Sequence, residues 1–157
     1  MSGGSVERVR AALRAAGHAD NIEAFPDGTR SAAEAAAAVG CEVAQIAKSI
    51  IFRSGERPVL VIASGANRVD MAKVAAATGL AVKRAEGGWV RDVTGFAIGG
   101  VAPLGHLTPP VVLVDEDLFR LAKIWAAAGS PMHVFATTPE EVLRVSGGIR
   151  ADVKEGV

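Results

Sequence analysis

Ile46-Ala47-Lys48-Ser49-Ile50-Ile51-Phe52-Arg53, then Ser54-Gly55-Glu56-Arg57, then Pro58-Val59-Leu60-Val61-Ile62-Ala63: the fold turns on this stretch. Two runs rich in β-branched and aliphatic residues flank a four-residue turn, which predicts a β-hairpin over residues 46–63. Side chains alternate faces along a strand. Ile46, Lys48, Ile50 and Phe52 therefore share one face, and Ala47, Ser49, Ile51 and Arg53 the other. A lysine in line with two isoleucines and a phenylalanine points at apolar material. Burying an ammonium is costly unless it is paired or lines a pocket that a polar ligand enters. Lys48 is expected to see such a cleft. The plainer alternative is a stem packed on the core with its amine reaching water.

Outward from the hairpin, helical and strand patterns mix. Val6, Val9 and Leu13 recur at helical spacing before Gly17. Asn21 to Phe25 alternates like a strand, and Ser31-Ala32-Ala33-Glu34 is a capping box opening a helix that ends at Gly40. Asp70 is placed to cap a helix stopping at Gly79, followed by a short strand at Leu80–Lys83 and a helical turn near Trp89. Strands are predicted at Val111–Val114, Ile124–Ala128, His133–Ala136 and Ile149–Val153. Thr138-Pro139-Glu140-Glu141 reads as a second capping box with proline in the first turn. Without a regular βαβ repeat, this order predicts one α+β domain over residues 1–157, built on a mixed, strongly curved sheet flanked by helices.

Lys plus Arg equals Asp plus Glu at 17 each, so the overall charge does not advertise nucleic-acid binding, although a local basic patch is compatible with it. A single cysteine, Cys41, excludes an intrachain disulfide and fits a reducing compartment. Glu7, Arg8, Arg10 and Arg14 interrupt any signal-peptide core, and no apolar run approaches the ~20 residues of a membrane helix. A cytoplasmic protein without membrane contact is expected. No His, Asp and Glu grouping has metal-ligand spacing, so no metal or other cofactor is expected.

Gly99-Gly100-Val101-Ala102-Pro103-Leu104-Gly105-His106 is the second informative segment. Glycines allow close approach of a ligand to the main chain, and successive N–H groups in such a loop can face one carbonyl or phosphate oxygen. A methyl group at Gly99 or Gly100 is expected to hurt such a site more than the fold. The segment has neither the Walker nor the dinucleotide pattern. His106 is a candidate base or hydrogen-bonding residue. Asp115, at the end of a buried strand, is a candidate to point into a pocket. Ser49, Ser64 and Ser130 lack a nucleophile-elbow context, and His133 lacks supporting neighbours.

Taken together these pieces resemble the YbaK/ProX family of freestanding aminoacyl-tRNA deacylases, related to the editing domain of bacterial prolyl-tRNA synthetase. The matching segments are the Lys48 strand, Ser64-Gly65-Ala66-Asn67-Arg68-Val69-Asp70, the Gly99–Gly105 loop, Val114-Asp115-Glu116, and Ala128-Gly129-Ser130 onward to Glu141. The resemblance implies the editing-domain fold with its curved, barrel-like sheet. It implies hydrolysis of the ester of mischarged tRNA(Pro), with Lys48 holding the terminal adenosine. Gly99, Gly100, Val101, Ala102, Pro103 and Gly105 would then position the aminoacyl group, with Asp115 and His106 also at the substrate. Water would attack with help from the ribose hydroxyl; prolyl-tRNA synthetase is an implied partner. Ala102 stands where cysteine-specific YbaK-type loops carry serine, which implies the subgroup that clears alanine or 2-aminobutyrate, with cysteine a further substrate. Two other readings stand beside it: a non-catalytic nucleic-acid-binding or regulatory module, and a hydrolase of small esters.

Overall fold

The computed structural model describes residues 2–156. In chain order the elements are α1 (Ser2–Ala15), β1 (Glu23–Ala24), α2 (Ala32–Val39), β2 (Ile46–Ser54), β3 (Arg57–Ser64), α3 (Met71–Thr78) and β4 (Lys83–Arg84). They continue as α4 (Gly87–Thr94), β5 (Val111–Asp115), β6 (Ile124–Ala127), β7 (His133–Thr137), α5 (Pro139–Ser146) and β8 (Ile149–Ala151). The hairpin forms as its pattern dictates, β2 antiparallel to β3, with Lys48 opposite Ala63 and Phe52 opposite Val59.

Alternation along β2 and β3 divides the core. Ala47, Ile51, Leu60 and Ile62 join the larger cluster with Val9 and Leu13 of α1 and with Phe96, Val101 and Ala102. The other face carries Ile50, Phe52, Val59, Val61 and Ala63 against Val74 of α3. Lys48 belongs by alternation to this second face.

The eight strands form one mixed sheet in the order β1-β7-β6-β2-β3-β5-β8, with β4 also on β2. Its ends, β1 and β8, are two and three residues long and do not pair with each other, so the sheet is open rather than closed into a barrel. β3 covers one edge of β2 throughout. On the other edge β6 pairs in parallel with Ile46 and Ala47, and β4 pairs antiparallel with Phe52 and Arg53. Residues 48–51 lie between these pairings with no strand neighbour on that side.

Several elements differ from the sequence expectation. The strand expected over 21–25 shrinks to Glu23–Ala24, both exposed, and that over 80–83 moves to Lys83–Arg84, because neither buries a face. The turn near Trp89 is a full helix, α4, which buries Val90 and Thr94. Its Trp89 is fixed by an indole bond to Glu56 and by the Arg53 guanidinium 4.3 Å from the ring centroid. The capping box at α2 is complete, Ser31 and Glu34 each accepting the other's backbone N–H at 3.1 Å. At α5 only half of it forms: Thr138 accepts from the Glu141 N–H, but the Glu141 carboxylate pairs with Arg144 instead.

Candidate functional site

The gap at the edge of β2 is where the chain's unusual residues meet. Two adjoining cavities open there. One, of about 70 Å³, lies between β2, α2 and β6 and is lined by Lys48, Ser49, Gly99 and Val101 with Ala35 and Ala126. The other, of about 230 Å³, lies toward β4 and shares Ser49, Gly99 and Val101 with the first. Lys48 is half-buried. Its ammonium donates to the main-chain carbonyl of Asn67 at 2.5 Å. Burial, and then the nearby Arg68 charge, push its pKa below the ordinary lysine value, while Asp115 pulls the other way. Next to it the Ser49 hydroxyl is buried and has no partner among the described residues.

The glycine loop reaches this edge through Gly99 and Val101. Gly99 adopts φ 90°, a conformation that side chains disfavour, and packs against the Arg30 backbone. Gly100 is required by contact: a Cβ there would stand 2.7 Å from the Ser130 Cα. Its carbonyl accepts from Gly129 N at 3.0 Å, tying the loop to the 129–131 turn.

Other residues read from the sequence as substrate-binding lie elsewhere. Ala102 is fully buried in the larger core. Pro103, Gly105 and His106 border a separate cavity against Val112 and Val145. The His106 ring sits edge-on to Phe96 at 5.1 Å and donates from Nε2 to the Ala102 carbonyl at 2.6 Å, so the main chain of the loop absorbs it. Asp115 is fully buried and does not line either cavity at the β2 edge. Its carboxylate accepts from Ser64 N, Asn67 Nδ2 and Asp117 N, which leaves it a clamp on the segment that holds Lys48.

The sequence reading missed Arg30, Ala35, Trp125, Ala127 and Val134, all of which line the smaller cavity. They come from the segment just before α2, from α2 itself, and from β6 and β7, and only the tertiary fold brings them to β2. It also passed over the pair Ser130 and His133, whose Oγ and Nδ1 are 2.6 Å apart. Their spacing across the Gly129-Ser130-Pro131 turn was the available signal. Ser130 is almost fully buried and its hydroxyl also accepts from Met132 N, so the pair clamps a turn and is not an exposed nucleophile. Among the described residues no three His, Cys, Asp or Glu side chains gather as a metal site, and no helix is long and apolar enough to cross a membrane.

Residues 26–145 match the aminoacyl-tRNA editing domain model. The chain is 29% identical over 143 residues to the uncharacterized protein YwhH of Bacillus subtilis (strain 168), covering 90% of this chain and 91% of that protein. A crystal structure of a candidate trans-editing enzyme for prolyl-tRNA synthetase superposes with a TM-score of 0.91 at 44% identity, covering 97% of this chain and 98% of that one. The hypothetical protein APE2540 superposes with a TM-score of 0.87 at 27% identity, covering 94% and 99%. Matched over residues 26–145, which is more than half of its length, the chain belongs to the aminoacyl-tRNA editing domain family.

Proposed function

We propose that this protein hydrolyses the ester joining a wrongly attached small amino acid to tRNA, with tRNA(Pro) as carrier and alanine or 2-aminobutyrate as the amino acid. The observation that carries this reading is the opening at the edge of β2, where Lys48, Ser49 and the Gly99–Val101 backbone converge on a cavity of only about 70 Å³. Lys48 holds the terminal adenosine from one side and the loop orients the ester from the other. Water adds to the ester carbonyl, with the vicinal ribose hydroxyl assisting. The carbon–oxygen bond to the ribose then breaks, the ribose oxygen regains a proton, and the amino acid leaves with a free carboxylate. Such an ester is already reactive, so orientation and a few fixed donors supply much of the acceleration. The Ser49 hydroxyl, unpartnered among the described residues, supplies one donor. The likeness to the candidate trans-editing enzyme supports prolyl-tRNA synthetase as the enzyme whose errors are cleared and as an interaction partner.

The test is a panel of mischarged tRNAs incubated with the protein, following release of each amino acid. Selective release of alanine or 2-aminobutyrate from tRNA(Pro) is the expected result. Release from no aminoacyl-tRNA in the panel would remove the catalytic reading.

A further inference from the structure

A third cavity, of about 560 Å³, lies beyond the site, on the far side of the turn that Gly100 abuts. Its walls are the first turns of α1, the segment 91–97 and the turn 129–131, with Arg8 and Arg91 as its charged residues. No Asp or Glu lines it, and none lines either cavity at the β2 edge.

The chain as a whole has positive and negative residues in equal number. Some charges elsewhere pair off: Arg10 and Arg14 on Asp20, Arg53 on Glu56 and Glu86, Lys73 on Asp152, Lys154 on Asp117. Among the described residues Arg8 and Arg91 in the groove, like Arg30 at the smaller cavity, have no carboxylate partner. Arg8 donates to three neutral carbonyls, those of Gly105 at 2.7 Å, Gly95 at 2.9 Å and Thr94 at 3.4 Å, with Phe96 beneath its guanidinium. Burial lowers its pKa, as expected for a cation without a counter-ion. Leu107, 60% exposed, gives the same groove an apolar wall.

An acid-free groove with two arginines and one exposed aliphatic face suits a sugar–phosphate strand, whose charge the arginines neutralise and whose sugar faces the leucine. It also lies where such a strand would have to run. Ala97 lines the groove and Gly99 the β2-edge cavities, two residues apart on one loop. The 129–131 turn forms the other wall and bonds back to Gly100 and to Thr29 at the smaller cavity.

We infer that the Arg8–Arg91 groove seats the phosphate backbone of the acceptor arm of tRNA as it leads away from the ester held at Lys48. This rests on the hydrolytic reading for the identity of the RNA, but the groove is tested without any hydrolysis. The probe is an uncharged acceptor-stem minihelix ending in the single-stranded 3′ tail, its affinity measured over a range of salt for the wild type, Arg91→Glu, Arg91→Ala and Arg57→Glu. Arg57 is exposed and lines none of these cavities, so it controls for net charge. Expected are a loss of about tenfold for Arg91→Glu, little loss for Arg57→Glu, and a salt slope lowered by about one for Arg91→Ala. Wild-type affinity in Arg91→Glu, or equal losses in Arg91→Glu and Arg57→Glu, would overturn the groove. The wild-type chain is separately given an aminoacyl-adenosine ester and mischarged tRNA. If it cleaves them while minihelix binding ignores Arg91, the groove is wrong and hydrolysis stands. If it cleaves neither while binding depends on Arg91, hydrolysis is wrong and the groove stands.

Discussion

Lys48 and Asn67 are joined by a 2.5 Å bond from the lysine ammonium to the asparagine main-chain carbonyl. Asn67 is in turn pinned by its side-chain amide, which donates to Asp115 at 2.8 Å and Asp117 at 2.9 Å. Lys154 closes the chain of contacts with a 3.1 Å ion pair to Asp117. The position of one cation at the cavity is thus set by a peptide group that two carboxylates hold still.

Removing the lysine should separate activity from stability. Lys48→Met is expected to reduce deacylation to near background while the melting temperature holds or rises, since a partly desolvated charge is replaced by an apolar chain. The folded pKa of Lys48 is lowered, so its charge penalty is fully present below that folded value. The penalty fades as pH rises from the folded toward the unfolded value. The stability difference between variant and wild type should therefore narrow in alkaline solution. Wild-type turnover on every mischarged tRNA would remove Lys48 from the site.

Asn67→Ala keeps the carbonyl that Lys48 uses but frees the loop. The expected result is lower turnover, with a pH–rate profile displaced from that of the wild type as Lys48 loses its fixed surroundings. Asp115→Ala leaves the buried Ser64 N–H without its acceptor. It should cost roughly 1–3 kcal/mol in a denaturant melt. An unchanged melt for Asp115→Ala would mean the carboxylate is not a clamp.

The glycine loop now divides. Gly100→Ala drives a Cβ to within 2.7 Å of Ser130 backbone, which neither chain can relieve by a rotamer change. It should destabilise by about 1–3 kcal/mol, the range of overpacked interiors. Gly99→Ala finds room, its nearest contact being 3.6 Å away, but must hold φ 90°. That conformation costs an L residue about 1–2 kcal/mol and moves the backbone facing the cavity. Gly100→Ala should therefore read out mainly in the melt, and Gly99→Ala in both melt and turnover. At Gly100 the contact with Ser130 overturns the expectation that a methyl would hurt the site more than the fold.

His106 makes a stability prediction rather than a catalytic one. Burial pushes its pKa below the ordinary 6.5, and the Arg8 charge adds to this, although the bond to Ala102 opposes it. A neutral folded imidazole contributes its full stability above about 6.5 and loses it as pH falls from there through the lowered folded value, because the unfolded chain takes up a proton first. Between about pH 7 and pH 5 the wild type should lose stability faster than His106→Leu. Parallel curves for the two proteins would show that His106 does not titrate with folding.

The strand pairing at 46–63 was legible because alternation, turn residues and length agreed locally. So were the caps at Ser31 and Asp70, whose bonds span three residues or fewer. Lys48 was legible as a charge out of place on an apolar face. What escaped is what depends on sheet order. Nothing local says that β6 and β4 cover opposite ends of one β2 edge, and so nothing local places Trp125 and Val134 beside Lys48. The glycine loop misled for the converse reason. Its residues adjoin in sequence, yet Val101 faces the cavity, Ala102 the core and His106 another surface.

That division relocates the determinant of substrate size. The family resemblance placed Val101 and Ala102 against the aminoacyl group and read the preference from Ala102. Ala102 is fully buried and Leu104 nearly so, within the core, and neither lines the smaller cavity. Ala102→Val should therefore cost stability without a defined change in preference. The walls that a side chain of the substrate would meet include Ala127 and Val134, from the β6–β7 hairpin. Ala127 is half-exposed, whereas its neighbour Ala126 is buried in the core. Ala127→Val is expected to narrow the cavity and slow release of 2-aminobutyrate more than of alanine, by ~10-fold if about one methylene of fit decides it. Val134→Ala should do the reverse. Rates on mischarged tRNA(Pro) carrying each amino acid, and on correctly charged Pro-tRNA(Pro), decide the matter. An unchanged preference in both variants, with both proteins folded, would place the amino-acid side chain in the larger cavity toward β4.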